Sequence, residues 1–187
     1  CKIMSVFKRI TANFYVDLAQ YYIGELRKAA QINISTRLLH YDPMLQGTII
    51  SFSKVKPISK DSKELVTFCY ADQPFVHIKM QAEFLVFKPY KGCLLPATIV
   101  YSTSSSISLT VFDYFQASAN ISEHRESWEF QQDKWYKGSE SIANNDVVVV
   151  EVEEVTPNNE GVSMLVKIVK KSDVPPQAIE ETNEEQE

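Results

Sequence analysis

The first half of the chain changes its hydrophobic period near residue 42. Over residues 15–41, apolar side chains recur every three or four positions, as on one face of a helix, so one or two helices are predicted there. Asp42 precedes Pro43, and a residue before proline is pushed out of the helical region, so the helical segment is expected to end here. Gly47 then opens the next element.

Three stretches rich in β-branched and alternating residues follow Gly47 and predict strands: residues 48–55, 65–70 and 75–87. The segments between them are polar and contain proline, as expected of turns. We therefore predict an α+β N-terminal domain, residues 1–87, in which a helix packs on a small antiparallel sheet.

The second half is predicted to consist almost wholly of strands. A proline and a glycine mark a junction at residues 88–92, and five strand-like stretches follow it: residues 93–102, 107–115, 117–121, 147–155 and 162–170. Five short strands without helical periodicity predict an all-β barrel of the OB fold over residues 88–171. A long polar insertion, residues 122–145, separates the third strand from the fourth and holds both tryptophans.

Charge is concentrated at the C-terminal end. Residues 172–187 hold six acidic residues, a proline pair and no lysine or arginine, and they predict a disordered acidic tail. Removing these six negative charges from the net charge of −5 leaves +1 for the rest of the chain. The folded part is thus near neutral, and any nucleic-acid contact must come from a local patch.

The composition argues against an enzyme, a cofactor site and a membrane segment. The five glycines are widely spaced, which disfavours a glycine-rich phosphate cradle. The three histidines and three cysteines are not spaced as metal ligands, and no hydrolase motif occurs. No apolar run approaches the about 20 residues of a membrane span. We expect a non-catalytic protein with no metal, no other cofactor and no membrane contact.

Motifs around the junction resemble those of one protein family. An aromatic-rich strand runs into a Phe-x-Pro-x-x-Gly turn, here Phe87-Lys88-Pro89-Tyr90-Lys91-Gly92. With an α+β domain before it and an OB barrel after it, this turn is similar to that of the larger, OB-fold stalk subunits of archaeal and eukaryotic RNA polymerases. Upstream, Leu38-Leu39-His40-Tyr41 followed by Gly47 is similar to the end of the family's long helix and its next strand.

Two further segments resemble the polymerase I version of this family. A serine-rich turn at residues 102–106 precedes Phe115-Gln116-Ala117-Ser118, which is similar to a Phe-Asn-Ala-Ser run that ends the second barrel strand. The segment Asp72-Gln73-Pro74-Phe75-Val76-His77 also suits the polymerase I hairpin. Two positions depart from the pattern. Gln116 replaces the usual asparagine, and Asp113 stands where many RNA-binding OB folds have a glycine that lets the backbone approach nucleic acid.

The resemblance implies a stalk subunit of RNA polymerase I, located in the nucleus and nucleolus. Its N-terminal domain would anchor on the polymerase core subunits. Its barrel would contact nascent single-stranded RNA weakly and recruit the initiation factor for ribosomal RNA transcription. Whether a small stalk partner subunit pairs with it stays open, as do two alternatives: the equivalent stalk subunit of RNA polymerase III, and a free-standing OB-fold protein that binds single-stranded RNA.

One candidate contact lies between two predicted strands of the first domain. The turn Asp72-Gln73-Pro74 ends in an aromatic, Phe75, and the resemblance makes these four residues the contact with the polymerase core. In the insertion, Trp128, Trp135 and Tyr136 are costly to leave in water. They either fold back over the barrel or dock a partner protein.

Candidate RNA contacts lie near the barrel. Phe112 and Tyr114 are predicted on one face of the second barrel strand, where they either stack on RNA bases or pack in the ordinary way. Lys88 and Lys91 either contact phosphates or are solvated lysines that blunt a sheet edge.

Overall fold

The computed structural model describes these parts of the chain: residues 6–19, 24–58, 67–69, 75–120, 129–131, 134–137, 140–158 and 161–171. The chain divides into two compact units, Cys1–Pro89 with Asn158–Gly161 and Tyr90–Pro157 with Val162–Glu187. Within the described residues, no helix is long and apolar enough to cross a membrane.

The first unit is an antiparallel sheet with one helix. Its elements are β1 (Phe7–Ala19), α1 (Leu26–Ser35), β2 (Tyr41–Asp42), β3 (Gly47–Pro57), β4 (Thr67–Cys69) and β5 (Phe75–Phe87). The strand order is β1-β5-β3-β2, and β4 also pairs with β5. β1 and β5 pair along their whole length, from Phe7 opposite Phe87 to Ala19 opposite Phe75.

Where the structure describes residues 15–41, that is at 15–19 and 24–41, the predicted helix is found only at Leu26–Ser35. Residues 15–19 belong to β1, where Val16 and Leu18 are buried and their neighbours Tyr15 and Asp17 are exposed. This burial follows a period of two, which is that of a strand. Leu18 fits two patterns: the helical spacing with the apolar residues that follow it, and the strand alternation that begins at Phe7. Over so few residues the two patterns cannot be told apart.

One face of this sheet forms the core of the first unit. α1 contacts β1 and β3, and its buried residues Ala29, Ala30 and Ile34 pack against alternate residues of the strands. The buried strand residues of this core are Val16, Leu18, Ile49, Val55, Ile78, Met80, Ala82, Phe84 and Val86. Because successive strand residues point to opposite faces, the other face of the sheet is left for polar side chains.

The second unit contains a closed five-stranded barrel, consistent with the predicted OB fold. Its strands are β6 (Leu94–Ser102), β7 (Ser106–Val111), β8 (Phe115–Asn120), β12 (Val147–Asn158) and β13 (Gly161–Lys171). The strand order is β12-β13-β8-β7-β6, and β6 pairs with β12 to close the barrel. β13 pairs with β8 in parallel at Met164 and Leu165. Order and direction are those of the OB fold, in which the fifth strand lies between the third and the fourth.

The insertion predicted at residues 122–145 contains a small sheet of its own, the mini-sheet. Its strands are β9 (Glu129–Gln131), β10 (Lys134–Lys137) and β11 (Glu140–Ile142), with β10 in the middle. Trp135 is 3% exposed and its ring centroid lies 5.1 Å from that of Phe130. Ile142, opposite Trp135 in the ladder, is also buried. A tryptophan and its apolar neighbours therefore give the insertion a core.

An ion pair ties the end of the mini-sheet to the last barrel strand. The Lys171 amine lies 2.8 Å from Asp146 Oδ2 and donates to the Ser141 carbonyl at 3.3 Å, while the Ala143 amide donates to Asp146 Oδ2 at 2.9 Å. Partial burial by itself raises the pKa of Asp146, but the hydrogen bonds from Lys171 and Ala143 outweigh it, so the pKa lies below its ordinary value of 3.8. The carboxylate is therefore the favoured form in the folded chain.

The family-like junction has a physical basis in two residues. Phe87 ends β5 and is fully buried. Gly92 has a φ of +85°, a conformation that residues with a side chain rarely adopt, and its amide donates to the Val152 carbonyl at 2.7 Å. The glycine of the Phe-x-Pro-x-x-Gly turn is thus required by the backbone, where it starts the barrel.

We expect Gly47→Ala to destabilise the chain by about 2 kcal/mol or more, because the site has no room for a methyl group. A Cβ on Gly47 would lie 2.5 Å from Val86 Cγ1 and 2.7 Å from the Phe87 carbonyl oxygen. Gly24 has no heavy atom within 4 Å of such a Cβ, so Gly24→Ala is the matched control and should change stability by less than about 0.5 kcal/mol. Urea denaturation measures both, and equal effects would contradict the close approach.

We expect Asp146→Asn to lower the free energy of unfolding by about 1 kcal/mol near neutral pH. A carboxyl group whose pKa is lowered by folding stabilises the protein above its unfolded pKa, and this contribution is lost as the pH falls through the folded pKa. The wild-type advantage should therefore vanish on acidification below the ordinary value of 3.8. Urea denaturation across this range tests it, with Glu154→Gln as an exposed control; an advantage that persists in acid would contradict the assignment.

Candidate functional site

The outer face of β6, β7 and β8, here called the neutral face, carries uncharged polar side chains that pair across the strands. One row across the three strands is Tyr101, Ser108 and Ser118, and the next is Thr98, Thr110 and Gln116. Ile99, Leu109 and Ala117 form the buried row between them. This neutral face offers hydroxyl and amide groups for hydrogen bonds but no charge for phosphate.

Tyr101 reaches the neutral face because of a β-bulge. Along β6, Leu95, Ala97 and Ile99 point into the barrel, and strict alternation would put Tyr101 there as well. The register shifts between Ile99 and Tyr101, so Val100 is an extra residue and Tyr101 pairs with the outward Ser108. The tyrosine ring is 60% exposed as a result. Sequence alternation alone does not reveal this residue.

The structure corrects the predicted position of Phe112 and Tyr114. β7 ends at Val111, which pairs with Phe115 of β8, so Phe112, Asp113 and Tyr114 form the turn between these strands. Phe112 is half-buried, whereas Tyr114 is 45% exposed and meets the Phe115 ring edge-on at 5.1 Å between centroids. The two aromatic rings are therefore not side by side on a strand face.

The β7–β8 turn has an unusual backbone for its sequence. Phe112 and Asp113 have φ angles of 53° and 56°, and the Tyr114 amide donates to the Val111 carbonyl at 3.3 Å. These are the features of a type I′ turn, for which Asn-Gly is the favoured pair. For a bulky residue such as Phe112 the left-handed region costs roughly 1–2 kcal/mol, whereas aspartate tolerates it better. The turn is held in a conformation that Phe112 disfavours.

The two lysines predicted to contact phosphate have different surroundings. Lys88 belongs to the first unit, where its side chain is half-buried and its amine donates to Gln46 Oε1 at 3.0 Å. Lys91 belongs to the second unit and is exposed. The contact with Gln46 engages the Lys88 amine, so Lys91 is the more available cation of the two.

The open face of the first unit, opposite α1, carries a ladder of polar pairs between β1 and β5. His77 Nδ1 lies 2.7 Å from Asp17 Oδ1, the Lys79 amine lies 5.9 Å from the Tyr15 ring centroid, and Gln81 Nε2 donates to Asn13 Oδ1 at 3.1 Å. Glu83 continues the ladder toward β3 through the Lys54 amine at 2.9 Å. That hydrogen bond is the main cause of the lowered pKa of Glu83. Charges on this face are thus largely paired within the sheet.

Two aromatic rings lie beside this ladder. Tyr15 is 46% exposed and Phe75 is 42% exposed, and the Asp17–His77 row lies between their rows. Phe75 is the described member of the predicted polymerase contact; Asp72, Gln73 and Pro74 lie outside the described residues. Tyr15 was not predicted, although the alternation that begins at Phe7 would have placed it on this face.

Of the three aromatic residues predicted for docking in the insertion, Trp135 is buried. Trp135, at 3% exposed, fills the core of the mini-sheet and has almost no surface to offer a partner. The described partners of Trp135 are Phe130 and Ile142 of the mini-sheet, so its ring is buried within the insertion. Tyr136 is half-buried, and Trp128 lies outside the described residues.

The described residues show no chemistry that points to a reactive centre. Cys93 is buried, and that burial raises the pKa of its thiol, which keeps it protonated and unreactive. Among the residues that the structure describes, no three or more His, Cys, Asp or Glu side chains are grouped to hold a metal ion. The surfaces found are suited to recognition by contact.

Comparisons with known proteins agree with the motifs. No protein-family model matches the chain. The chain is similar to DNA-directed RNA polymerase I subunit rpa43 of Schizosaccharomyces pombe, with 25% identity over 127 residues, 68% of this chain and 70% of that protein. It is also similar to RPA43 of Danio rerio, with 23% identity over 118 residues, 63% of this chain and 28% of that protein.

A mammalian relative extends the same similarity. RPA43 of Mus musculus is 25% identical over 126 residues, 67% of this chain and 37% of that protein. The chain therefore spans less than half the length of the vertebrate relatives it matches, although it covers most of the fission yeast protein. These similarities confirm the predicted resemblance to RNA polymerase I subunits: the chain is similar to proteins named DNA-directed RNA polymerase I subunit RPA43.

Proposed function

We propose that this chain is a non-catalytic stalk subunit of RNA polymerase I that acts in the nucleus and nucleolus. The observation that carries the proposal is a closed barrel of OB strand order that follows an antiparallel sheet in the sequence, in a chain similar to most of the fission yeast RPA43 protein. In this role the first unit anchors the chain on the polymerase core. The barrel contacts nascent RNA and, with neighbouring surfaces, recruits the initiation factor.

The open face of the first unit supports the anchoring role. Tyr15 and Phe75 are exposed aromatic residues beside the Asp17–His77 pair, and exposed aromatic residues are over-represented where protein interfaces gain most of their affinity. Asp17 and Lys79 on this face already contact His77 and the Tyr15 ring, which limits the cost of burying these two charges on docking. Asp72, Gln73 and Pro74 directly precede Phe75 and extend the proposed contact.

The neutral face of the barrel supports weak contact with single-stranded RNA. Its exposed Tyr101 can stack on a base, and its hydroxyl and amide groups can bond base edges and ribose. The six residues that define this face carry no formal charge, so binding there gains little from the release of counterions. Lys91 is then the candidate phosphate contact, and the affinity for RNA alone is low.

Docking of other proteins is the remaining part of the proposed role. Tyr136 and Trp128 stay candidates for contact with the initiation factor or with a small stalk partner subunit, whereas Trp135 does not, since its ring is buried. The polymerase I assignment is favoured over the polymerase III alternative because the compared relatives carry the polymerase I name.

We expect Phe75→Ala combined with Tyr15→Ala to weaken association with the polymerase core by at least about tenfold, as for the loss of interface aromatic anchors. Met44→Ala is the matched control, because Met44 is 83% exposed in the β2–β3 turn of the same unit, away from this face. Association of each purified chain with RNA polymerase I lacking this subunit gives the measurement. Recovery of ribosomes or nucleases in place of polymerase subunits with the tagged wild-type chain would contradict the proposal.

We expect Tyr101→Ala to weaken binding of a short oligouridine by about fivefold, since one stacked base contributes roughly 1–3 kcal/mol. Tyr101→Phe keeps the ring and should bind almost as the wild type does. Fluorescence anisotropy across a salt series measures both affinity and its salt dependence, which should be shallow. Tight binding by the isolated chain with a steep salt dependence would favour the free-standing RNA-binding protein.

A further inference from the structure

The β7–β8 turn combines features that the proposed RNA contact does not use. Asp113 is exposed, and its neighbours in the sequence are the half-buried Phe112 and the exposed Tyr114. We infer that this turn binds an arginine side chain of a partner protein. The inference rests on the proposed function only in taking that partner from the polymerase I assembly.

The backbone of the turn and the Tyr114 ring have defined contacts within the barrel. The Val111–Phe115 pair anchors its base, and the bond from the Tyr114 amide to the Val111 carbonyl, at 3.3 Å, closes it. The Tyr114 ring leans edge-on against the buried Phe115. Groups that are already ordered lose little freedom on binding, so a small contact can be productive.

The residues at the two left-handed positions are not those that make the turn fold best. Phe112 and Asp113 occupy both, although Asn-Gly would adopt this backbone with less strain. Strain of this kind persists where the surrounding structure enforces it, and it is concentrated at functional sites. We therefore expect the side chains of Phe112 and Asp113 to serve binding, because they do not favour the backbone of the turn.

Charge and ring chemistry together select the ligand. Asp113 is the only charged residue in the segment from 106 to 120, so the turn repels phosphate and attracts a cation. A guanidinium group can pair with a carboxylate through two parallel hydrogen bonds while its plane lies on an aromatic ring. An ammonium group lacks the planar fork. The turn therefore fits arginine better than lysine and better than an RNA backbone.

The first test uses the full chain and RNA polymerase I lacking this subunit. Asp113→Asn keeps the size of the side chain and removes its charge, and Glu154→Gln makes the same change at an exposed position of β12. Association should fall about tenfold for Asp113→Asn, as expected for a charge-assisted hydrogen-bonded pair, and less than about twofold for Glu154→Gln. Equal effects, with the wild type binding, would overturn the inference and leave the proposed function intact.

A second measurement does not need the polymerase. The isotope-labelled full chain is titrated with N-acetylargininamide, N-acetyllysinamide or a short oligouridine, and amide chemical shifts are followed. Arginine should shift residues 112–114 more than lysine does, and Asp113→Asn should abolish the difference. An equal response to lysine, or an oligouridine response at these amides, would overturn the inference. An arginine response in a chain that fails to bind polymerase would overturn the proposed function alone.

A variant with an unstrained turn distinguishes a loss of arginine binding from a loss of stability. Phe112→Asn combined with Asp113→Gly supplies the favoured type I′ pair. This variant should melt at a higher temperature than the wild type and lose the arginine response. A lower melting temperature would show that the wild-type turn is not strained and would overturn the inference. A retained arginine response would show that other residues bind the ligand and would overturn it as well.

Discussion

The parallel pairing of β13 with β8 is the constraint on which the barrel depends. It joins the last strand to the third and so closes the ring β12-β13-β8-β7-β6. Parallel neighbours cannot be linked by a tight turn and need a long connection. Here the insertion and β12 together form the connection between β8 and β13. Closure also leaves no barrel strand with a free edge, so recognition must use outward faces and turns.

Those outward surfaces differ in charge. The rows around Tyr101 are neutral, the β7–β8 turn is acidic, and polar side chains of β1 and β5 contact one another across the two strands. With a net charge of +1 outside residues 172–187, the chain has no broad field to attract nucleic acid. Selectivity must then come from local geometry, such as the bulge at Val100 that turns Tyr101 outward.

The sequence predicted the barrel better than the surfaces on it. Barrel strands alternate and are punctuated by turns, so the pattern locates β6, β12 and β13 closely. β1 was missed because Leu18 fits two periods at once. The β7–β8 turn was missed because Asp113 lies among residues that favour strands, Phe112 and Tyr114 included, and the turn contains no glycine or proline. The burial of Trp135 depends on pairing within the mini-sheet, which polar composition conceals.

Weak contacts become useful when they are linked to a stronger one. In the proposed role, anchoring of the first unit makes RNA binding by the barrel intramolecular, with an effective concentration that reaches about the millimolar range for short flexible links. A neutral face built around Tyr101 then needs only a modest affinity to be occupied. Because it holds few phosphates, it also releases the transcript quickly as the RNA lengthens. A strongly basic barrel would bind RNA without the polymerase, and the near-neutral charge of this chain avoids that competition.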